Sequence, residues 1–537
     1  MVTVTQRAPL LALLLLALSL LMAPVTAVAQ SIAFKQSVAE AAAGDRDIAA
    51  FYKANGYAPI WTGKSNRDKQ RRTQFLRAVE SAGDHGLPAE RYQPDVIRTN
   101  LRRVRGDAEL GALEVEMSRL FLLYARDVQT GIIEPRRADP DIVRKKPLRS
   151  RTSILDSFAR STPSAFIKAL PPRSAEYNRL MTEKLRFEKV VGRGGWGPKV
   201  PEVKIELGQT SEAVVALRNR LIRMGYLKRT PSKTYDAKMQ QGLLRFQQDH
   251  GLRPDGVVGR GTLDALNVSA ATRLSQIVVA MERERWINMP GGLGDRHVWV
   301  NLTDFRTKLI DNGKVTFETK SVIGENRLRE KRTPEFSDQM EYMEINPDWT
   351  VPRSIIGRDY LPKLKQNPLA AQYLQLIDLQ GRVVPREQID FSQYTEDTFP
   401  YTVRQPPGRA NALGTVKFMF PNPHAIYLHD TPDRHLFSRQ FRAYSSGCVR
   451  LHDPHDFAYV LLERQVADPE PYFQRILNSG EQTIVPLDKP VPVHIVYRTA
   501  FTQAKGNIQF RADIYGRDAR IFEAMQNAGV SLRAVQG

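Results

Sequence analysis

The chain has 537 residues, 42% apolar and 25% charged, and its 78 lysines and arginines against 58 acidic residues give a formal charge of +20. That content excludes a disordered or fibrous protein and predicts about two to four domains with buried cores. One cysteine excludes a disulfide-stapled scaffold, while the basic balance points to a polyanionic neighbour or to an ordinary solvated surface.

At the start, MVTVTQRAPLLALLLLALSLLMAPVTAVAQ sets Arg7 ahead of an apolar run from Leu10 to Ala23, followed by Pro24 and the small residues Ala27, Val28 and Ala29. The layout predicts a secretory signal peptide over residues 1–29, because a run of about 14 residues falls short of the roughly 18 to 20 that span a bilayer. Retention as an anchor is the lesser alternative. Export to the periplasm argues against nucleic acid and favours an anionic wall or envelope surface as the basic chain's neighbour. No later segment is apolar enough to cross a membrane.

Residues 36–200 read as a helical scaffold domain. Leu113, Met117, Leu120, Tyr124 and Val128 recur at helical spacing before Gly131, and Phe75, Leu76, Val79 and Ala82 form a second stripe. Both stripes are core faces. A Gly- and Pro-containing linker then leads to a compact unit at 205–268. There Ser211 caps a helix with Val214, Leu217 and Leu221 on one face, a second helix carries Leu243, Leu244 and Phe246 up to Gly251, and RPDG turns into a third from Thr262 to Leu266. Through LGQTSEAVVALRNRLIRMGYL and PDGVVGRGTLDAL this unit resembles the peptidoglycan-binding domain; a module without wall affinity is the competing account. Residues 269–294 are expected as a scaffold return or linker.

From 295 the period changes to two. Val298, Val300 and Leu302 alternate, Asp311-Asn312-Gly313 signals a hairpin, and Val491, Val493, Ile495 and Tyr497 alternate again. A mainly-β catalytic domain is expected over 295–525, with one embedded helix in DPHDFAYVLLERQV, an insertion at 353–413 long enough to be a lid, and a tail at 526–537. The fold class is multidomain α+β.

The chemistry concentrates near the lone thiol. AIYLHD reads as a strand that puts Tyr427 and His429 on one face and Ile426 and Leu428 on the other, and SSGCVR reads as a loop ahead of a helix begun by Asp453 and Pro454. Cys448 is either an inert buried residue or a nucleophile. As a nucleophile it needs a base, since a free thiol is only a few per cent ionised at neutral pH. His429 can take the proton, leaving a thiolate and imidazolium pair with a depressed thiol pKa, and Arg450 adds positive charge. Gly447 allows a tight turn that would aim the Gly447 and Cys448 amides at an oxyanion. His424, His435, His452 and His455 match no zinc spacing, and neither metal nor cofactor is called for.

The combined pattern IYLHDT with SSGCVR resembles the L,D-transpeptidase motif. FYKANGYAPIW, AGDHGLPAERY, WINMP, NPDWTVPRSI and YRTAF with FRADIYGRD extend the resemblance to the large, multidomain members of that family. The resemblance implies Cys448 as nucleophile and His429 as proton acceptor and donor. It further implies Ser445, Ser446, Gly447 and Arg450 lining the site, Tyr427, Trp349 and Asn346 near substrate, and a substrate cap at 353–413. Asp430 stands where Gly is common and Ser446 where a second His is common, which leaves a backbone carbonyl or Asp430 to orient the His. The implied reaction joins peptidoglycan stem peptides, a tetrapeptide donor and an amine acceptor, by 3→3 cross-links in cell-wall biogenesis. Alternatives are an L,D-carboxypeptidase, a wall-protein attachment enzyme with the same thiol, and a non-catalytic wall-binding scaffold.

Overall fold

A computed structural model describes residues 31–534, so the expected signal peptide lies outside the described residues. These residues form two compact units: the first comprises 31–77, 93–122 and 150–167, the second 78–92, 123–149 and 168–534. The helical region read as one scaffold over 36–200 is thereby divided, because its chain passes twice out of the first unit and back. The α+β class holds. Among the described residues no helix is long and apolar enough to cross a membrane.

The first unit is helical. Trp61, Phe75, Phe121 and Phe158 form its centre, with ring centroids between 4.4 and 5.6 Å apart. Beside them the fully buried Glu114 accepts hydrogen bonds from the N–H groups of Ile60 (2.6 Å) and Thr62 (2.7 Å) and from the Tyr52 hydroxyl (2.9 Å). One carboxylate thus satisfies a loop that has no sheet or helix partner, as burial requires.

In the second unit, helix α1 (Ala175–Gly192) leads to three short helices, α2 (Glu212–Met224), α3 (Ala237–Asp249) and α4 (Arg260–Asn267). Ser211 caps α2 by accepting the Val214 N–H at 3.3 Å, and Asp236 caps α3 by accepting the Met239 N–H at 2.9 Å. Val214, Leu217, Leu221, Leu243, Phe246 and Leu266 make the core of this bundle. Residues 269–294, expected as a scaffold return or linker, contain helix α5 (Ala270–Trp286), which packs along α1 and is buried at every position from Gln276 to Trp286. Most of its charges are inside because they are paired, Arg285 with Glu282 (2.8 Å), Arg283 with Glu335 (2.5 Å) and Asp518 (3.0 Å), and Glu284 with Arg498 (2.8 Å), while the buried Arg273 donates to Gln276 (2.9 Å) and the Ala265 carbonyl (3.2 Å). Glu335, Asp518 and Arg498 are distant in sequence and give no local signal, so the segment's polarity misleads.

The sheet follows. Strands β1 (Arg296–Asn301), β2 (Arg306–Asp311), β3 (Lys314–Gly324) and β4 (Phe336–Ile345) precede an excursion through β5 (Trp349–Thr350), β6 (Gln375–Ile377) and β7 (Thr402–Gln405). Then come β8 (Val416–Met419), β9 (Leu428–His429), β10 (Ala443–Ser445), β11 (Val449–Leu451) and β12 (Thr483–Val496). The nine-stranded order is β10-β3-β11-β9-β8-β4-β12-β1-β2, and pairing of β2 with the first part of β3 closes it into a ring. The β2–β3 hairpin turns at Asn312 and Gly313, both at positive φ (49° and 76°). Leu302, expected in a strand, begins a short 3-10 turn that reverses the chain one strand earlier. Helices α6 (Pro454–Leu462) and α7 (Pro469–Ser479) cover one face, with Phe457 against Phe418 (ring centroids 4.8 Å apart). Strands β5 to β7 form a separate small sheet with its own core of Trp349, Ile356, Leu364, Phe391, Phe399 and Val403. After α8 (Arg517–Asn527) the tail stays attached: Val530 is buried and Arg533 pairs with Asp84 (2.7 Å) and Glu188 (3.1 Å).

Candidate active site

Two adjacent parallel strands build the site. Leu428 pairs with Val449 and His429 with Arg450. Alternation along each strand then puts Tyr427, His429, Cys448 and Arg450 on one face, while Leu428, Val449 and Leu451 enter the core, each fully buried. Cys448 therefore lies across from Tyr427 and diagonal to His429, a separation that long side chains bridge.

The thiol is half-buried, and Sγ contacts the Ala425 carbonyl oxygen at 3.5 Å. The Tyr427 N–H and hydroxyl also face the sulfur, and Arg450 and Lys417 add positive charge; these favour the thiolate, but burial outweighs them and pushes the thiol up to about 11. His429 is buried, and burial, with Arg450 and Lys417 nearby, lowers its imidazole to about 3. The shifts run against the expected thiolate and imidazolium pair: burial disfavours both charged forms, and the two flanking cations oppose a third positive charge.

His429 Nδ1 lies 2.5 Å from the Asp430 carbonyl oxygen, which fixes the proton on Nδ1 and leaves Nε2 as an acceptor. A backbone carbonyl thus orients the ring. The Asp430 carboxylate is engaged elsewhere, accepting from the Thr415 N–H and hydroxyl, both at 2.9 Å.

Ser445 braces the turn before the thiol. Its hydroxyl donates to the Cys448 carbonyl at 2.6 Å and accepts the Gly447 N–H at 3.1 Å. The Gly447 amide is therefore spent inside the turn, which corrects the expectation that it aims at an oxyanion; among the described residues the Cys448 N–H has no hydrogen-bond partner. Gly447 sits at φ 127°, where a Cβ would also meet Ile426 at 3.1 Å, so glycine is required. Thr333 fixes the same turn by donating to the Gly447 carbonyl at 2.7 Å. Ser446 is exposed. Arg450 is held by Asp433 at 2.8 Å.

Tyr427 joins the sheet to the cap. Its ring meets His429 edge-on at 5.6 Å, and it packs against both the sheet core and the cap core, which includes Trp349. Burial first, then the neighbouring thiol, raises its phenol well above the ordinary value. Trp349 is itself in β5, so the cap begins four residues before the expected 353, at the strand that pairs with β7. Asn346 does not join this group. It adopts φ 52°, and its amide nitrogen donates to the carbonyls of Ile476 (3.1 Å), Leu477 (3.0 Å) and Glu481 (3.3 Å), so it holds the end of α7 and has no donor left for substrate.

The other histidines are dispersed. His455 Nε2 meets the Thr415 hydroxyl at 2.7 Å, His452 Nδ1 meets Asp453 at 2.7 Å, and the His424 ring lies 5.2 Å from that of Phe336. Asp453 starts α6 without a side-chain cap, its carboxylate accepting from the Thr319 hydroxyl at 2.7 Å. Among the described residues no group of three His, Cys, Asp or Glu side chains is placed to hold a metal ion. Lys417, which sequence reading passed over, stands opposite His429 in register on β8. Only strand pairing reveals that position.

The described site therefore sets a lone thiol beside a histidine and a phenol on a closed mixed sheet, next to the small inserted sheet of β5 to β7. Residues 295–482 match the L,D-transpeptidase catalytic domain, 210–266 the "Putative peptidoglycan binding domain", and 46–183 the "Scaffold domain". Over residues 295–482 the chain is thus similar to the L,D-transpeptidase catalytic domain. A protein named "Putative L,D-transpeptidase" from Haemophilus influenzae is 36% identical over 226 residues, covering 42% of this chain and 45% of that relative, so the aligned part spans less than half of it. Among solved structures, an L,D-transpeptidase (residues 123-326) from Xylanimonas cellulosilytica aligns at 14% identity with a TM-score of 0.16, over 56% of this chain and 98% of that one. Another, from Stackebrandtia nassauensis, gives 13% identity and a TM-score of 0.20 over 56% and 97%.

Proposed function

We propose that the protein is an exported, periplasmic, wall-associated enzyme that forms 3→3 cross-links between peptidoglycan stem peptides through a thioester on Cys448. The observation that carries this reading is the placing of Tyr427, His429 and Cys448 on one face of β9 and β11, inside the region matched by the L,D-transpeptidase catalytic domain.

Because burial disfavours both charged forms, proton transfer accompanies attack. The sulfur adds to the carbonyl carbon of the third stem residue as His429 Nε2 takes the Sγ proton. The free Cys448 N–H faces the oxygen that gains charge. The C–N bond to the terminal D-Ala breaks, and the imidazolium returns its proton to the leaving amine. An acceptor amine then adds to the thioester, gives its proton to His429, and releases the sulfur, which recovers a proton. A cap over the thioester excludes water and favours amine over hydrolysis. The bundle with α2 to α4 and the basic surface retain the enzyme on the wall.

The test is intact mass after incubation with tetrapeptide-stem muropeptides and with a carbapenem, for wild type, Cys448→Ala and His429→Ala. An adduct on wild type alone, with cross-linked dimers among the products, supports the reading. Tripeptides without dimers mean an L,D-carboxypeptidase, and sacculus binding with no adduct means a non-catalytic scaffold.

A further inference from the structure

Lys417 shares the site face with His429, and its placement is fixed twice. Its ammonium pairs with Glu344 of the neighbouring strand β4 at 2.9 Å and lies 5.3 Å from the centroid of the Tyr427 ring. The side chains of Lys417 and Glu344 are only 13% and 9% exposed. A lysine stem ordinarily carries its charge out to water, and a buried ion pair is a weak source of stability because lost hydration offsets the attraction. The pair's position therefore asks for an account other than folding. The ring beneath the ammonium belongs to the residue whose hydroxyl faces the Cys448 sulfur. A cation over the face of a phenol is drawn to its electrons and makes the O–H a stronger donor.

We propose that Lys417 is a positioning residue of the acyl-transfer site: held by Glu344 against the Tyr427 ring, it keeps the phenol beside the Cys448 thiol across the strand pair and makes the hydroxyl a stronger donor to the sulfur as charge develops there. The proposal rests on the reading of Cys448 as the nucleophile. Other charged or titratable groups facing the thiol are Arg450 on its own strand, tied to Asp433, and His429 on β9. Lys331, whose carbonyl borders Gly447, is tied to Glu325 at 3.1 Å. Lys417 differs from the other two cations in covering the phenol.

The experiment measures the rate of Cys448 alkylation by iodoacetamide, and of acylation by a carbapenem, from pH 7 to 9.5, with thermal midpoints alongside. The variants are Lys417→Arg, the paired Glu344→Gln/Lys417→Met, which leaves no carboxylate stranded, and Tyr427→Phe with and without that pair. The neutral pair is expected to react about tenfold more slowly at every pH, a displacement of about one pH unit, with a midpoint near that of wild type. Lys417→Arg should stay within about threefold of wild type, because the cation is kept. In the Tyr427→Phe background the pair should add less than about twofold. Wild-type rates in the folded pair, or a full tenfold effect without the phenol, overturn the proposal. Failure of wild type to form the carbapenem adduct strikes instead at the nucleophile assignment, while alkylation still reads Lys417.

Discussion

Ser445→Ala tests the turn that presents the thiol. Ser445 is 3% exposed, and its hydroxyl pairs the Cys448 carbonyl and the Gly447 N–H at once. Alanine removes both partners without adding bulk. Each buried backbone group left unpaired costs about 1–3 kcal/mol, so the loss is about 2–6 kcal/mol if both stay dry and smaller if the turn opens to water. Part of that cost appears as lower global stability. The remainder appears as a turn that no longer holds the sulfur under the Tyr427 hydroxyl, and since about 1.4 kcal/mol is tenfold in rate, adduct formation with a carbapenem should slow about ten- to a hundredfold. The assay is an intact-mass time course at fixed pH, paired with thermal scans of the same samples. Thiol alkylation should slow in parallel, because the defect lies in presenting the sulfur and not in recognising the ligand. A Ser445→Ala protein that reacts at the wild-type rate with an unchanged midpoint would show that the hydroxyl does not hold the turn.

With the thiol pushed up to about 11 and the imidazole down to about 3, alkylation of the resting protein should climb steadily from pH 6 to 10 without an inflection near 6.5. At pH 7 the thiolate fraction is on the order of one in 10⁴, about three hundredfold below a free thiol. Because the unfolded chain protonates His429 near 6.5 and the folded one only near 3, stability is lost as pH falls through that window; urea midpoints of His429→Gln should fall less between these limits. Asn346→Ala removes the donor for three backbone carbonyls and strains φ 52°, so it should cost about 1–3 kcal/mol in denaturant titrations while leaving Cys448 alkylation unchanged. Arg283→Met takes the shared cation from Glu335, which keeps Arg517 at 3.4 Å, and from Asp518, which keeps the Thr499 hydroxyl, and should cost about 3–5 kcal/mol, much of it recovered when both acids are changed to amides, as chemical denaturation would register.

Period-two alternation made Tyr427 and His429 legible as one face and Ile426 and Leu428 as the other, because alternation is a local property of the chain. The caps at Ser211 and the hairpin at Asn312-Gly313 were legible for the same reason. What escaped depends on pairing between distant segments. Lys417 gains its place only through the β8–β9 register, Asn346 is claimed by the end of a helix 130 residues on, and α5 hides its charges in partners that adjoin it only after folding. The acid and base strengths at the site were misjudged because burial is set by the cap and sheet together, and no short motif reports it.

The bundle and the cap are both excursions whose ends are already held together. Chain leaves at the end of α1 and returns in α5, which packs on α1; it leaves the sheet through β5 and returns through β7, which is hydrogen-bonded to β5. Closing a flexible loop costs entropy that grows only logarithmically with its length, about 0.6 kcal/mol per doubling, when its ends are fixed by other contacts. Lengthening or shortening either excursion should therefore change stability far less than its size suggests, provided the α1–α5 and β5–β7 contacts remain. The enclosing fold can in this way carry appendages of very different length on one unaltered pair of strands bearing the thiol and its base.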